Sequence, residues 1–383
     1  MRYNILFIFN NTKSIQYIFD AVIKLSEKHN IYYYLNHQMC MISYNWNSLF
    51  ISEQNDIRVK LIKQLDKNNC KCIGSKGDGI SYEDKFKDTI KYDLVIIDDS
   101  NGYEKGRQHG YKLIYEIIKK NNPKLKVVGN IEGLKDFNAK KYDNNKLKNL
   151  KNTELESICK SYKSSYDYIF CWDKYQYNHL KKHISDKNKI FKIGVPYFDK
   201  LRNYKNEVNK TYIILFTSMT SDSKKWVAMD QKIINFVIKF SKEQKCILLI
   251  KEKPRSNLNF KYLENENIIV NQCEGDELDM YISKAKFIFG APSTILIRGL
   301  LLNIPTIIFN DRYYGQLGFL ENYSGVIKTF NEDEIYDKID FFTKRKNKKD
   351  YIKNYMKENY YGYNFNSINN FIESCNNLLK DEI

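Results

Sequence analysis

The chain has 383 residues, of which 43% are apolar, and its 62 Lys and Arg against 46 Asp and Glu give a formal charge of +16. That length favours two α/β domains with packed cores, and the basic excess favours anionic partners: phosphorylated substrates, an acidic membrane surface or nucleic acid. No apolar run is long enough to span a bilayer, MRYNILFIFNN lacks the pattern of a secretory signal, and the eight scattered cysteines, with only Cys70 and Cys72 close together, make neither a zinc site nor a redox pair. The expectation is a cytosolic protein with reduced thiols and no metal centre.

Apolar runs alternate with segments of helical period along the chain. Tyr3–Phe9 reads as a buried strand, Ile15–Lys28 as a helix after Thr12 or Ser14, and Ile31–Leu35 as a second strand. Residues 36–55 are irregular and aromatic, and Asp56–Asn68 is an amphipathic helix. Asp93–Ile97 is the clearest strand of this half and runs into Asp98 and Asp99. A helix over 111–120 stops before Pro123, and the strand Lys126–Asn130 leads into Ile131, Glu132 and Gly133. After a polar stretch over 135–165 come the strand Tyr166–Trp172, a helix over Lys174–His183 and the short strand Ile190–Ile193. Its helical histidines, His109, His179 and His183, read as exposed. The polar run RNYKNEVNK after Leu201 is the best linker.

A second α/β run follows. Tyr212–Thr217 is a strand, 226–242 a helix, and Cys246–Ile250 a strand ending in KEKPR. Ile268–Val270 is a short strand and Glu277–Ser283 a helix. In FIFGAPSTILIRGLLLNIPTIIF, the strand Phe287–Phe289 turns at Gly290, Ala291 and Pro292, Ser293 and Thr294 sit at the N-cap position, and Ile295–Leu302 is an apolar helix stopped by Asn303 and Pro305. Thr306–Phe309 and Gly325–Lys328 are further strands, and Ile368, Phe371, Ile372, Cys375 and Leu379 fall on one face of a terminal helix. This alternation predicts parallel, doubly wound sheets.

Ligands of such sheets bind beyond the carboxyl ends of the strands. The residues there in the first half are acidic: Asp98, Asp99 and Glu132. In the second half they suit a phosphate: Thr217 and Ser218, Lys251, Lys253 and Arg255, and the turn Gly290, Ser293, Thr294, where helix amides and two hydroxyls converge. Cations around a leaving phosphate opposite a carboxylate that takes the acceptor's proton is what group transfer needs.

Three segments carry a resemblance. GVPYFDKL (194–201) resembles the G-x-P-x-x-D-x-L segment that ends the first domain of many GT-B glycosyltransferases and CDP-glycerol glycerophosphotransferases; LLIKEKPR (248–255) resembles their K-x-H-P element, with Lys253 in place of His. ELDMYISKAKFIFGAPSTILIRGLLLNIPTIIF (277–309) is similar to their donor-binding segment. The resemblance implies an α/β fold of two Rossmann-like domains with parallel sheets facing across a cleft (GT-B): an acceptor domain over 1–200, a nucleotide-donor domain over 201–345, and C-terminal helices over 346–383 that cross back to the first. It also implies a glycosyltransferase that moves a sugar, or a polyol phosphate, from a nucleotide-sugar donor to a glycan or lipid-linked acceptor in bacterial surface-polysaccharide synthesis. Such an enzyme works in the cytoplasm, loosely held at the inner face of an anionic membrane, with no cofactor, metal or nucleic acid. Thr217, Ser218, Lys251, Lys253, Arg255, Gly290, Ser293, Thr294 and Arg298 would hold the donor, and Glu132, Asp98 or Asp99 would act as base.

Two departures keep alternatives open. Arg298 stands where the family usually has a ribose-binding Glu, and can meet a phosphate or be a structural surface residue. Glu132-Gly133 stands where a His-Gly element is usual. A nucleotide-sugar 2-epimerase or hydrolase of the same fold, a non-catalytic glycan- or partner-binding relative, and a nucleic-acid-binding module, which fits the charge but lacks a recognised motif, remain alternatives.

Overall fold

The computed structural model describes residues 1–9, 12–36, 57–75, 80–99, 108–131, 142–143, 146–147, 166–204, 209–217, 224–252, 260–310, 317–344 and 350–380. In chain order the strands and helices are β1 (Asn4–Phe9), α1 (Thr12–Ser26), β2 (Asn30–Leu35), α2 (Ile57–Lys67), β3 (Lys71–Ser75), α3 (Tyr82–Lys85), β4 (Leu94–Asp99), α4 (Gln108–Asn121), β5 (Lys126–Ile131), a small hairpin β6 (Tyr142–Asp143) and β7 (Lys146–Leu147), β8 (Tyr168–Cys171), α5 (Lys174–Leu180) and β9 (Ile190–Lys192). There follow β10 (Tyr212–Phe216), α6 (Lys224–Glu243), β11 (Ile247–Lys251), β12 (Ile268–Asn271), α7 (Gly275–Ser283), β13 (Ala285–Gly290), α8 (Leu296–Leu301), β14 (Thr306–Phe309), β15 (Val326–Ile327), α9 (Glu332–Thr343), α10 (Tyr351–Asn359) and α11 (Ser367–Lys380). Two compact units result: residues 1–137, 149–200 and 360–383, and residues 138–148 and 201–359.

The first unit is a seven-stranded sheet of order β3-β2-β1-β4-β5-β8-β9, and every pairing in it is parallel. A parallel sheet is covered on both faces, so its central strands are apolar throughout rather than alternating; NILFIF and LVII are buried along their length. One face packs on α1, whose Ile15, Ile18, Ala21, Val22 and Leu25 repeat at helical spacing, and on α11. Phe371 of α11 lies against Phe7 and Phe170, with ring centroids 6.4 and 5.2 Å apart.

The GVPYFDKL segment receives the chain as it returns from the second unit. Gly194 has φ +81°, and a side chain there would stand 2.6 Å from the backbone of Gly362. The Val195 amide donates to the Tyr360 hydroxyl at 2.9 Å, and the Tyr361 amide donates to the carbonyl of Trp172 at 3.1 Å. Asp199 accepts from the amides of Ser367 and Ile368 at 3.0 and 2.8 Å, which caps α11. The glycine and the aspartate of this segment are thus both explained by the seating of the terminal helix.

The second unit is a six-stranded parallel sheet of order β12-β11-β10-β13-β14-β15. The alternation in FIF decides its packing: Phe287 and Phe289 both turn to Phe240 of α6, at 5.3 and 5.6 Å between centroids. Among the described residues no helix is long and apolar enough to cross a membrane.

Candidate functional site

Both sheets reverse their strand order once, the first between β1 and β4 and the second between β10 and β13. At such a point the connections leave toward opposite faces, and a crevice opens beyond the carboxyl ends of the two strands. In the second unit Phe216, the last residue of β10, pairs with Gly290, the last of β13. Thr217 and the turn carrying Ser293 and Thr294 therefore follow directly from the two strands that border the crevice.

Several of these groups are engaged within the protein. The amide and the hydroxyl of Thr217 both donate to the carbonyl of Lys251, at 3.2 and 3.3 Å. The hydroxyl can then accept from a ligand but has given its proton away. The Lys251 side chain ends β11 and is buried. Gly290 is required by packing: a Cβ there would meet the Cβ of Phe216 at 3.1 Å and its carbonyl oxygen at 3.3 Å. Ser293 is exposed and Thr294 half-buried. Ser218, Lys253 and Arg255 lie outside the described residues.

The helix after this turn corrects the sequence reading. The expected span Ile295–Leu302 is a six-residue helix, Leu296–Leu301, whose N-cap is Ile295 in helical conformation with no side-chain cap. The chain enters it through a tight turn in which the amides of Leu296, Ile297 and Arg298 donate to the carbonyls of Ser293, Thr294 and Ile295 at 3.1–3.2 Å. Those three amides are committed, and the Ile295 amide reaches the Ser293 hydroxyl only at 3.5 Å. Packing is the reason: all six helix residues are buried, so the segment is set by its surroundings and not by a free-standing cap.

Arg298 is a second correction, because it is not at the surface. Its Nη1 donates to Oδ1 of Asp279 at 2.7 Å, with 8% and 0% of the two side chains exposed. The pair ties α8 to α7 beneath the turn. Glu252 is a residue that sequence reasoning gave no role: buried, its carboxylate accepts the amide of Phe260 at 2.7 Å and the side-chain amide of Gln272 at 3.4 Å.

In the first unit Asp98 and Asp99 are the last residues of β4, in register with Asn130 and Ile131 of β5. Asp98 is 1% exposed. Glu132 comes one residue after β5 and lies outside the described residues. Next in the sheet, Trp172 and Asp173 follow β8. The Asp173 carboxylate accepts the Gln176 amide at 2.8 Å, and the Gln176 side-chain oxygen accepts the Trp172 amide at 2.8 Å, a reciprocal cap on α5. Burial raises the Asp173 carboxyl to about 7. The spacing W-D-x-x-Q after an apolar run was the available signal for this cap. His179 corrects the exposed reading: it is half-buried, its ring 4.4 Å from that of Tyr175, and desolvation lowers its pKa to about 4.

No family model matches the sequence, and no curated protein does. Solved structures do match over almost the whole chain. A putative UDP-N-acetylglucosamine 2-epimerase from Listeria monocytogenes is 12% identical with a TM-score of 0.62, covering 100% of this chain and 98% of its own. The UDP-GlcNAc 2-epimerase from Neisseria meningitidis, bound to UDP-GlcNAc, is 11% identical at 0.61, covering 97% and 99%. The wall teichoic acid polymerase TagF is 12% identical at 0.56, covering 99% of this chain and 89% of its own. At such identity the likeness is one of fold, and a fold does not fix a reaction. The chain has the GT-B fold, an architecture it shares with glycosyltransferases and with UDP-GlcNAc 2-epimerases.

Proposed function

We propose that this chain is a glycosyltransferase that takes a sugar, or a polyol phosphate, from a nucleotide-activated donor and adds it to a glycan or lipid-linked acceptor of a bacterial surface polysaccharide. The observation that carries this reading is the set of groups at the strand-order reversal of the second unit: Thr217, buried Lys251, Gly290, Ser293 and Thr294, with Ser218, Lys253 and Arg255 in the segments that follow β10 and β11. In this reading Lys251, Lys253 and Arg255 offset the charge that grows on the leaving phosphate, and the Ser293–Thr294 turn supplies hydroxyls. Arg298 has a different task. In this reading its ion pair with Asp279 braces the turn from below.

The first unit presents the acceptor. Asp98 and Asp99 end β4 and Glu132 follows the neighbouring β5, and one of the three takes the proton of the attacking hydroxyl. The formal charge of +16 suits an acceptor held at an anionic membrane face. The domains would then be those of the sequence reading, residues 1–200, 201–345 and 346–383.

A second reading, a nucleotide-sugar 2-epimerase, is favoured by the likeness to two structures so named over 97–100% of this chain. One experiment separates the two. In UDP-N-acetylglucosamine incubated with the protein and followed by proton NMR, an epimerase changes the configuration at C2 without needing an acceptor. A transferase releases nucleotide when an acceptor is supplied and leaves C2 alone. If neither change occurs across UDP-, CDP-, CMP- and GDP-linked donors, the transferase reading is wrong.

A further inference from the structure

We infer that the carboxyl end of β5 and β8 recognises a hydroxyl of a sugar or polyol, through the amide oxygen of Asn130 and the indole N–H of Trp172, beside the Asp98 carboxylate. The ligand class rests on the proposed function; the site rests on two buried polar atoms. Asn130 is 2% exposed and Trp172 1%, and among the described residues neither Asn130 Oδ1 nor Trp172 Nε1 has a hydrogen-bond partner. Leaving a buried donor and a buried acceptor unmet costs stability, so a fold that keeps both needs a reason.

Their placement supplies one. Asp98 and Asn130 are opposite each other on neighbouring strands, and Ile96 and Val128, two residues earlier, lie in the core formed with α1 and α11. Phe170, in register with Asn130, packs on Phe371 of α11, and Trp172, two residues on, meets Tyr17 of α1 edge to face at 5.4 Å. All three polar groups therefore sit on one face of the sheet, at its carboxyl end. The Trp172 backbone is held from both sides, its amide by Gln176 and its carbonyl by Tyr361, so the ring is fixed while its N–H is left over.

The pair calls for a group that accepts from the indole and donates to the amide oxygen. A phosphate dianion has no proton to give, and an ammonium has no lone pair to offer. A nearby carboxylate also disfavours an anion. A hydroxyl does both. Because the two atoms are closed to solvent, the hydroxyl enters only with a local opening of the cover.

The chain has three tryptophans, so its indole N–H signals can be resolved by nitrogen–proton correlation NMR, with Trp172→Phe assigning the one that matters. Millimolar UDP-N-acetylglucosamine, N-acetylglucosamine, glycerol 3-phosphate and UDP are added in turn to the full chain. The Trp172 signal shifts with N-acetylglucosamine and its UDP conjugate if the donor's sugar occupies the site, or with glycerol 3-phosphate if an acceptor polyol does. It stays in place with UDP, whose binding reports separately on the second unit. Asn130→Leu should keep or raise the melting temperature, because it removes an unmet group from the free protein, and both it and Trp172→Phe should weaken the hydroxyl compound about tenfold, because each removes a contact from the complex. A Trp172 signal that none of the three hydroxyl compounds moves overturns the inference. So does a fall in melting temperature for Asn130→Leu, which would mean that its oxygen is bridged by a structural water.

Discussion

The carboxyl ends of the two sheets differ in how their polar residues are engaged. In the second unit most are engaged within the protein, Thr217 with the Lys251 carbonyl, Glu252 with Phe260 and Arg298 with Asp279, although the oxygen of Asn310 just past β14 has no partner among the described residues. In the first unit Asn130 Oδ1 and Trp172 Nε1 have no partner among the described residues. A matched network fixes a shape, whereas an unmatched pair is held for something else. Changing the first kind should therefore show in stability, and changing the second should show in binding.

The largest effect should come from the Arg298–Asp279 pair. Arg298→Met strands a fully buried carboxylate and should cost about 3–5 kcal/mol in urea unfolding, whereas Arg298→Met with Asp279→Leu should recover most of it. If the single variant unfolds like the wild type, the pair is no brace and the division drawn between the two sheet ends fails.

Asp173 comes next, with a sign that can be worked out. Burial raises its carboxyl from 3.8 to about 7. The unfolded chain gives up this proton near pH 4 and the folded chain near pH 7, so stability from this residue is whole below pH 4 and is lost as pH climbs to 7. Asp173→Asn keeps an oxygen for the Gln176 amide and removes the titration. It should flatten the stability profile between those limits and be more stable than wild type at pH 8 by about 2–4 kcal/mol. An unchanged slope would show that the group titrates normally.

A smaller effect belongs to Asp199. Asp199→Ala removes both acceptors from the start of α11 and should cost about 1–2 kcal/mol, with faster hydrogen exchange at Ser367 and Ile368. Ser293→Ala should be the mildest for folding, within about 0.5 kcal/mol, because the side chain is exposed. Its effect should appear in nucleotide affinity, and a variant that binds nucleotide as well as wild type would remove Ser293 from the site.

Much of this architecture was legible in the sequence, and the parts that were not have physical reasons. NILFIF, DLVII, YIILF and TIIF are apolar without alternation, which only strands buried on both faces can be. The one-sided stripe Ile368, Phe371, Ile372, Cys375 and Leu379 announced a docked terminal helix, and Leu378 joins it in the core. β3, KCIGS, was missed because a glycine at φ +137° and two polar ends break the pattern of this half-buried outer strand. The burial of Arg298 was not legible because its partner Asp279 is 19 residues away, beyond any local pattern. The helix start after Pro292 was misplaced because packing, not a cap, sets it. Asn130 could have been noticed as a lone amide inside an apolar strand, but only the coordinates show that its oxygen is unmet. Glu132, Ser218, Lys253 and Arg255 belong to segments outside the described residues, and their roles rest on resemblance.

The central claim is that the crevice beside Thr217, Lys251, Ser293 and Thr294 holds the nucleotide of an activated donor. The most direct measurement is the melting temperature of the full chain across a concentration series of UDP, CDP, CMP and GDP, for wild type and for Lys251→Met. At least one nucleotide should stabilise the wild type, by about 2.7 kcal/mol at a hundred times its Kd, and that gain should largely disappear in the variant. A wild-type transition that none of the four nucleotides moves, or a gain that survives intact in Lys251→Met, would contradict it.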